Sequence, residues 1–211
     1  MADDSARSLL ARYLGRNAAT YDHARVGSPK WDFEQSCLEA FVGAVRNEVR
    51  HILDVPVGTG RFLDTYARLV PEAGVAALDL SDDMLSLARA RSKSTAIRFR
   101  RHDIVTTPAP LAADLVVCFR FLNLINAEDM ASALGNILSA SERFCILSVR
   151  VVDDAFPNSL FIEDKIWLHK ESEFEKLPNA EGFAVEDMKV FGDKRLGSYR
   201  VLLLRRCDEE A

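Results

Sequence analysis

Apolar residues recur along this chain with two different periods, and their alternation lays out an architecture. Between Lys30 and Val49, Leu38, Phe41, Val42, Val45 and Val49 fall on one face at helical spacing. Residues 5–16 do the same with Leu9, Leu10, Tyr13 and Leu14, behind Ser5 as an N-cap. These first residues are poor in strand signals and predict a helical cap in front of a sheet domain. From Arg50 onward the period alternates. Ile52–Val55 predicts a strand, Arg61–Leu69 a helix closed by Pro71, and Val75–Leu80 a strand. Asp82–Arg91 predicts a helix with Ser81 as its N-cap, and Ile97–Arg101 a strand. Ala113–Phe119 is continuously apolar, the pattern of a strand buried on both faces of a parallel sheet. Ala127–Ser139 then predicts a helix and Phe144–Val151 a strand. Strands alternating with helices of this length build βαβ units, hence an α/β, doubly wound sheet. Right-handed crossovers put the carboxyl ends of the strands on one side, where ligands bind.

The last quarter breaks the rhythm. Val152–His169 is irregular, with Phe156, Phe161, Ile166 and Trp167 scattered through it, and Glu171–Leu177 predicts a short helix. Phe183–Phe191 and Tyr199–Arg206 read as two strands joined around Gly192 and Gly197, close enough for a hairpin.

Composition narrows the classes. At 211 residues, the chain reads most simply as one domain, 1–211, with residues 1–49 as the cap and 50–206 as the core. A formal net charge of −5 argues against a nucleic-acid partner, which favours a basic face. Cys37, Cys118, Cys145 and Cys207 are widely spaced, without a C-x-x-C pair or a His cluster, so neither a metal site nor a disulfide framework is expected. Reduced thiols, an acidic N-terminus without an apolar signal region, and no run of membrane-spanning length predict a cytoplasmic protein with no membrane partner.

The chemistry concentrates in Ile52-Leu53-Asp54-Val55-Pro56-Val57-Gly58-Thr59-Gly60-Arg61-Phe62. An apolar run reaches an acid, passes through a glycine-bearing turn and opens into a helical pattern. Glycines let a ligand approach the backbone, and a helix start offers unpaired N–H groups to an anionic or polar end. The dinucleotide fingerprint G-x-G-x-x-G needs a third glycine three residues on, and here there is none. The stretch resembles instead motif I of the class I S-adenosylmethionine-dependent methyltransferases, acid-x-Gly-x-Gly-x-Gly, with Pro56 in place of the first glycine. Proline fixes φ near about −65°, so the turn must suit that value.

Further motifs follow in the family's order. Leu78-Asp79-Leu80-Ser81-Asp82-Asp83-Met84-Leu85 ends its strand in Asp79, a carboxylate able to accept both ribose hydroxyls of an adenosine. Asp82 and Asp83 suit the first helical turn already. The resemblance places residues at positions like Asp82 and Met84 beside the adenosine, adds Leu80 to the cofactor set, and gives Asp103 and Ile104 of His102-Asp103-Ile104 the adenine amine and ring. Ala113–Phe119 resembles motif IV, whose end faces the transferring methyl group; Phe119 is thereby implied at the cofactor, and Arg120 as a forked binder of an acidic acceptor. Tyr21-Asp22 resembles the Tyr-Asp of many small-molecule methyltransferases, with Tyr21 closing over the cofactor. His169 lies in the segment that commonly binds the acceptor. The Asn/Asp-Pro-Pro-aromatic signature of nucleic-acid amino methylases is absent after Phe119, as is the Lys-Asp-Lys-Glu set of RNA ribose methylases.

Taken together, the resemblance covers Arg50 to Arg206 and implies a seven-stranded, mainly parallel Rossmann-like sheet with an antiparallel C-terminal hairpin strand. It implies S-adenosylmethionine as cofactor, S-adenosylhomocysteine as product and a small-molecule acceptor. The cofactor set is then Tyr21, Asp54, Pro56, Gly58, Gly60, Asp79, Leu80, Met84, Asp103, Ile104 and Phe119. No residue is assigned as a general base, and neither acceptor nor oligomeric state is specified. Two other readings stay open: a non-catalytic module that keeps the fold for cofactor or partner binding, and a nicotinamide-dependent oxidoreductase.

Overall fold

The computed structural model describes residues 20–23, 25–94, 96–156, 161–162, 166–192 and 197–207. The helix expected over residues 5–16 lies outside them. The architecture is α/β, with a mainly parallel sheet and antiparallel C-terminal strands, and it divides into two compact units that meet in sequence between Asp103 and Ile104.

In the first unit, α1 (Pro29–Val45) starts where Ser28 accepts from the Trp31 N–H and Pro29 takes the first helical position, where its missing N–H costs nothing. It ends four residues earlier than the periodicity predicts. Arg46–Glu48 tighten into a 3-10 turn, which leaves Val49 in extended backbone with its side chain still buried. Then come β1 (His51–Asp54), α2 (Leu63–Leu69), β2 (Gly74–Asp79), α3 (Asp82–Arg91) and β3 (Arg98–Arg101). The three strands run parallel in the order β3-β2-β1. Leu53, Ala77, Leu78 and Leu85 fill the core, while β3 keeps no fully buried side chain and forms its polar edge. Helix α3 begins and ends as predicted because Ser81 accepts from the Met84 N–H and two acids occupy the first turn.

In the second unit, β4 (Ala113–Cys118) pairs parallel with β5 (Ser141–Val152), and α4 (Ala127–Ser139) lies between them in sequence. Leu115, Val116 and Val117 are 0% exposed, so the unbroken apolar run is indeed a doubly covered strand. Each such side chain contributes about 1.5–3 kcal/mol by burial. The irregular stretch expected over Val152–His169 contains short strands: β6 (Phe161–Ile162) pairs antiparallel with β7 (Ile166–Trp167), and β8 (His169–Lys170) adds parallel to β5. Helix α5 (Glu171–Ala180) runs three residues past Leu177 and carries Pro178 inside it. Strand β10 (Ser198–Arg206) lies antiparallel between β5 and β9 (Phe183–Gly192), giving the expected hairpin. Gly197 at its start holds φ +72°, and a Cβ there would stand 2.4 Å from the Val151 carbonyl oxygen, so no other residue fits without a shift.

Candidate functional site

The site is built on the carboxyl ends of β1 and β2. Strand β1 delivers Asp54, 3% exposed, and the chain turns through a cis Val55–Pro56 bond. The Val57 N–H returns to the Leu78 carbonyl oxygen at 2.8 Å, which ties the loop to β2. Gly58 (φ +55°) and Gly60 (φ +73°) both occupy the left-handed region, but for different reasons. Around Gly58 there is open space. At Gly60 a Cβ would lie 2.9 Å from Ala88 Cα and Cβ and from Leu63 Cδ1, so the glycine lets the loop press onto α3. The helix that follows opens at Leu63, not at Arg61 as the pattern suggested, because Gly60-Arg61-Phe62 are still turning.

Asp79 closes β2 and joins the two glycine-side elements. Its Oδ2 accepts from the Gly58 N–H at 2.8 Å and its Oδ1 from the Ser81 N–H at 2.9 Å. The Leu80 N–H also bonds this carboxylate, so of the roughly four lone-pair directions an ionised carboxylate offers, about one remains for a further donor. Burial lifts its pKa from the ordinary 3.8 to about 6, against the lowering effect of those N–H groups. Asp54 is lifted to about 7, again chiefly by burial; the Tyr66 hydroxyl, donating at 3.0 Å, offsets part of this, and the Asp79 charge adds to it. Tyr66 itself is 0% exposed, so the α2 face turned inward exists partly to solvate an acid.

Two supports escaped the sequence reading. Thr59 Oγ1 donates to Asp22 Oδ1 at 3.0 Å, while the Arg91 guanidinium donates to Asp22 Oδ2 and, at 3.3 Å, to Thr59 Oγ1. The turn carrying Tyr21-Asp22 is thus fastened to the tip of the glycine loop and the end of α3. Residue 22 was noticed only as Tyr21's neighbour, and the three partners are 37 and 69 positions apart, beyond any local pattern. The other support is Arg61, whose Nη1 donates to Glu34 Oε2 at 2.6 Å and whose guanidinium stacks 3.7 Å from the Trp31 ring centre. Glu34 is 0% exposed. Its position among the buried residues of α1 was the available signal.

The remaining predicted residues fall as follows. Tyr21 is half-buried, with the Arg25 guanidinium 3.8 Å above its ring. Leu80 is half-buried, and its carbonyl accepts from Arg101 Nε at 3.1 Å. Met84 is 1% exposed and belongs to the core of the first unit. Asp103 is half-buried at the end of that unit. In the second unit Ile104 is buried, and its carbonyl accepts from Asn136 at 2.9 Å. Phe119 is 9% exposed at the end of β4. Arg120 holds φ +56°, the one non-glycine in that region among the described residues, and its N–H donates to the buried Ser148 hydroxyl at 2.8 Å. His169 is 2% exposed, and its Nε2 lies 2.8 Å from the Leu122 carbonyl oxygen. Desolvation lowers its pKa, so the neutral ring donates from Nε2 and braces the turn after β4. Asp54, Gly58, Gly60 and Asp79 are therefore brought together in the first unit, with Tyr21 nearby through the Asp22 bonds. Among the described residues no group of three or more His, Cys, Asp or Glu could hold a metal ion, and no helix is long and apolar enough to cross a membrane.

Comparison with known proteins adds independent support. A family model described as a methyltransferase domain matches residues 52–142. The structure of magnesium protoporphyrin IX methyltransferase from Synechocystis PCC 6803 with bound SAH is similar at a TM-score of 0.74 and 14% identity, over 96% of this chain and 99% of that one. N-methyltransferase NodS from Bradyrhizobium japonicum WM9, in complex with S-adenosyl-L-homocysteine, follows at 0.69 and 13%, over 96% and 98%. Human N-acetylserotonin methyltransferase in complex with SAM matches at 0.65 and 15%, over 93% of this chain and 58% of that one. No curated protein matches the sequence.

Proposed function

For a chain whose residues 52–142 match a methyltransferase-domain family model and whose fold is that of the class I methyltransferases, we propose an S-adenosylmethionine-dependent methyltransferase with a small-molecule acceptor. The observation that carries it is the Asp79 carboxylate. It sits at the end of the second strand, held by the Gly58, Leu80 and Ser81 N–H groups, with about one acceptor direction left for a ribose hydroxyl. Gly58 keeps a side chain out of the open space beside the loop, and Gly60 lets the loop press onto α3. These residues fit the cofactor named by the structural relatives, while the third glycine of a dinucleotide fingerprint is replaced by Leu63.

In this reading Gly58 and Asp79 bind, Asp54, Pro56 and Gly60 shape the loop, Leu80, Asp103 and Ile104 take the adenosine, and Met84 supports the site from the core. Phe119 and Arg120 are assigned to the methionine end and the acceptor. The bound cofactor supplies a methyl group on a cationic sulfur that is already activated for displacement. The chain's own contribution is proximity, holding a nucleophile in line at roughly 3–3.5 Å. His169, buried and committed to Leu122, is not positioned to take a proton from an acceptor. A non-catalytic cofactor-binding module is the second reading, favoured by that same commitment of His169.

Calorimetric titration with S-adenosylmethionine, S-adenosylhomocysteine and NAD, on the native chain and on Asp79→Asn, tests the assignment. Binding of the two sulfur compounds alone is expected, weakened about tenfold or more in the variant, the scale of one or two charged hydrogen bonds. Binding of NAD, or equal binding by the variant, overturns it. A screen of hydroxyl, amine and thiol acceptors for S-adenosylhomocysteine release then separates the enzyme from the non-catalytic module.

A further inference from the structure

Strand β9 carries a surface that cofactor binding leaves unexplained. Among the described residues it pairs only with β10, so one of its edges ends the sheet. The register assigns its faces, because residues opposite one another in an antiparallel pair point the same way. Phe183, Val185, Met188 and Val190 stand opposite Arg206, Leu204, Leu202 and Arg200 and share one face. Asp187 and Lys189, opposite Leu203 and Val201, share the other, and the register shift beside Leu204 leaves Glu186 as the extra residue of a bulge. Four positions of one face are therefore apolar, and three of them are open to solvent: Val185 at 52%, Met188 at 40% and Val190 at 51%. Among the other described large apolar residues, only Val26 is so exposed.

We propose that β9 is a self-pairing edge through which two copies of this chain join antiparallel about a two-fold axis at Met188. A strand that ends a sheet presents N–H and C=O groups to a second strand, and an isologous contact satisfies both copies with one surface; here the Met188 N–H donates to Asp187 Oδ1 at 2.6 Å within the chain, a bond that the contact must exchange for one between copies. Charge selects the register. A centre at Lys189 sets lysine on lysine, and a centre at Asp187 sets aspartate on aspartate, both destabilising. A centre at Met188 sets Asp187 against Lys189 of the second copy, twice by symmetry, and joins the two apolar stripes into one. Within one chain Lys189 Nζ already lies 3.0 Å from Asp187 Oδ2, so the pair is placed to widen into an alternating four-charge cluster. A lysine on an edge ordinarily repels other strands. Here the aspartate two residues before it turns that guard into a selector for one partner in one register.

Sedimentation velocity of the full chain, from micromolar upward, is expected to show a dimer that dissociates on dilution. Lys189→Asp and Asp187→Lys each lose the intrachain pair and place like charges opposite one another, so each alone dimerises about tenfold or more weakly. Their equimolar mixture restores both cross-strand pairs and forms a heterodimer, read by native mass spectrometry, which no intrachain role of these residues can produce. Met188→Lys, at an exposed position, abolishes the dimer, and all three variants keep native circular dichroism and cofactor affinity. A native chain that stays monomeric throughout, single variants that dimerise like the native chain, or a mixture that stays monomeric overturns the proposal.

Discussion

The first unit ends its strands β1 and β2 in Asp54 and Asp79, both nearly inaccessible and both with raised pKa values. The second unit runs β5 and β10 through an apolar interior, and among its described residues Asn123, Ser141, Ser148, Arg150 and His169 are the buried polar ones. Both regions bury a sheet; only the first buries ionisable carboxyls at the turns where backbone N–H groups converge. Burying a carboxyl is unfavourable unless it is bonded or neutralised, and the first unit answers with Tyr66, Gly58 N–H and Ser81 N–H. The second uses its polar groups as braces between its own segments: Ser148 for the Arg120 N–H, Asn123 for the Arg150 and Trp167 carbonyls, His169 for Leu122. Polar burial shapes the proposed ligand site in one region and is joinery in the other, and what separates them is that the first buries carboxylates at its turns.

The largest effects are expected where a glycine permits close approach. Gly197→Ala drives a Cβ against the Val151 carbonyl, and Gly60→Ala drives one against Ala88, so each is expected to lower stability by about 3 kcal/mol in urea unfolding. Gly58→Ala meets nothing and bears only the left-handed backbone term, about 1 kcal/mol. Only Gly60→Ala and Gly58→Ala are expected to weaken cofactor binding as well. Equal costs at positions 58 and 60 would show that the loop does not press on α3.

Next comes pH. Asp54 and Asp79, at about 7 and about 6 in the folded chain, titrate near 3.8 when unfolded, so across that window the folded state holds more protons. Their stabilisation is therefore full below about pH 4 and is lost as pH rises through about 7. Unfolding midpoints are expected to fall between about pH 5 and about pH 8, with Asp54 accounting for roughly 1–3 kcal/mol. Asp54→Asn, which can still accept from Tyr66, should flatten the profile; a slope unchanged in this variant would place the titration elsewhere.

The sheet was readable because its apolar runs are long and its caps local: Ser81 before Asp82, glycines after an acid, and a hairpin between two β-rich runs. What was illegible depended on distance or on crowding in space. Helix α1 ends at Val45 although Val49 continues the stripe, since a 3-10 turn keeps Val49 buried without helical backbone. The Val152–His169 stretch hides two-residue strands, too short to show a period. Asp79's place at a strand end could be read from the chain, but not that three backbone N–H groups would already occupy it. His169 lies in a suggestive segment, and only the fold turns its ring inward to Leu122.

Tyr66→Phe removes the hydroxyl that donates to Asp54 and leaves the carboxyl buried, for about 1–2 kcal/mol, more at high pH than at low. The corresponding change in the second region, Ser148→Ala, removes the acceptor of the Arg120 N–H at a similar cost but with no pH dependence, since neither group titrates in the range. A pH-dependent loss in both would erase the distinction drawn between the two kinds of burial.

The smallest stability effect is expected at the latch, where it separates stability from ligand retention. Arg91 is 38% exposed, so Arg91→Met is expected to cost less than about 1 kcal/mol, as exposed ion pairs do. Asp22 and Thr59, however, keep their mutual hydrogen bond at the loop tip, so the turn loses its tether to α3 and not to the loop. Asp22→Ala removes both links at once. If the turn covers the bound cofactor, dissociation measured by stopped-flow should quicken modestly in Arg91→Met and more in Asp22→Ala, with association little changed. Equal dissociation rates in both variants and the native chain would make the latch a fastening of the fold alone, and would leave Tyr21 without a part in binding.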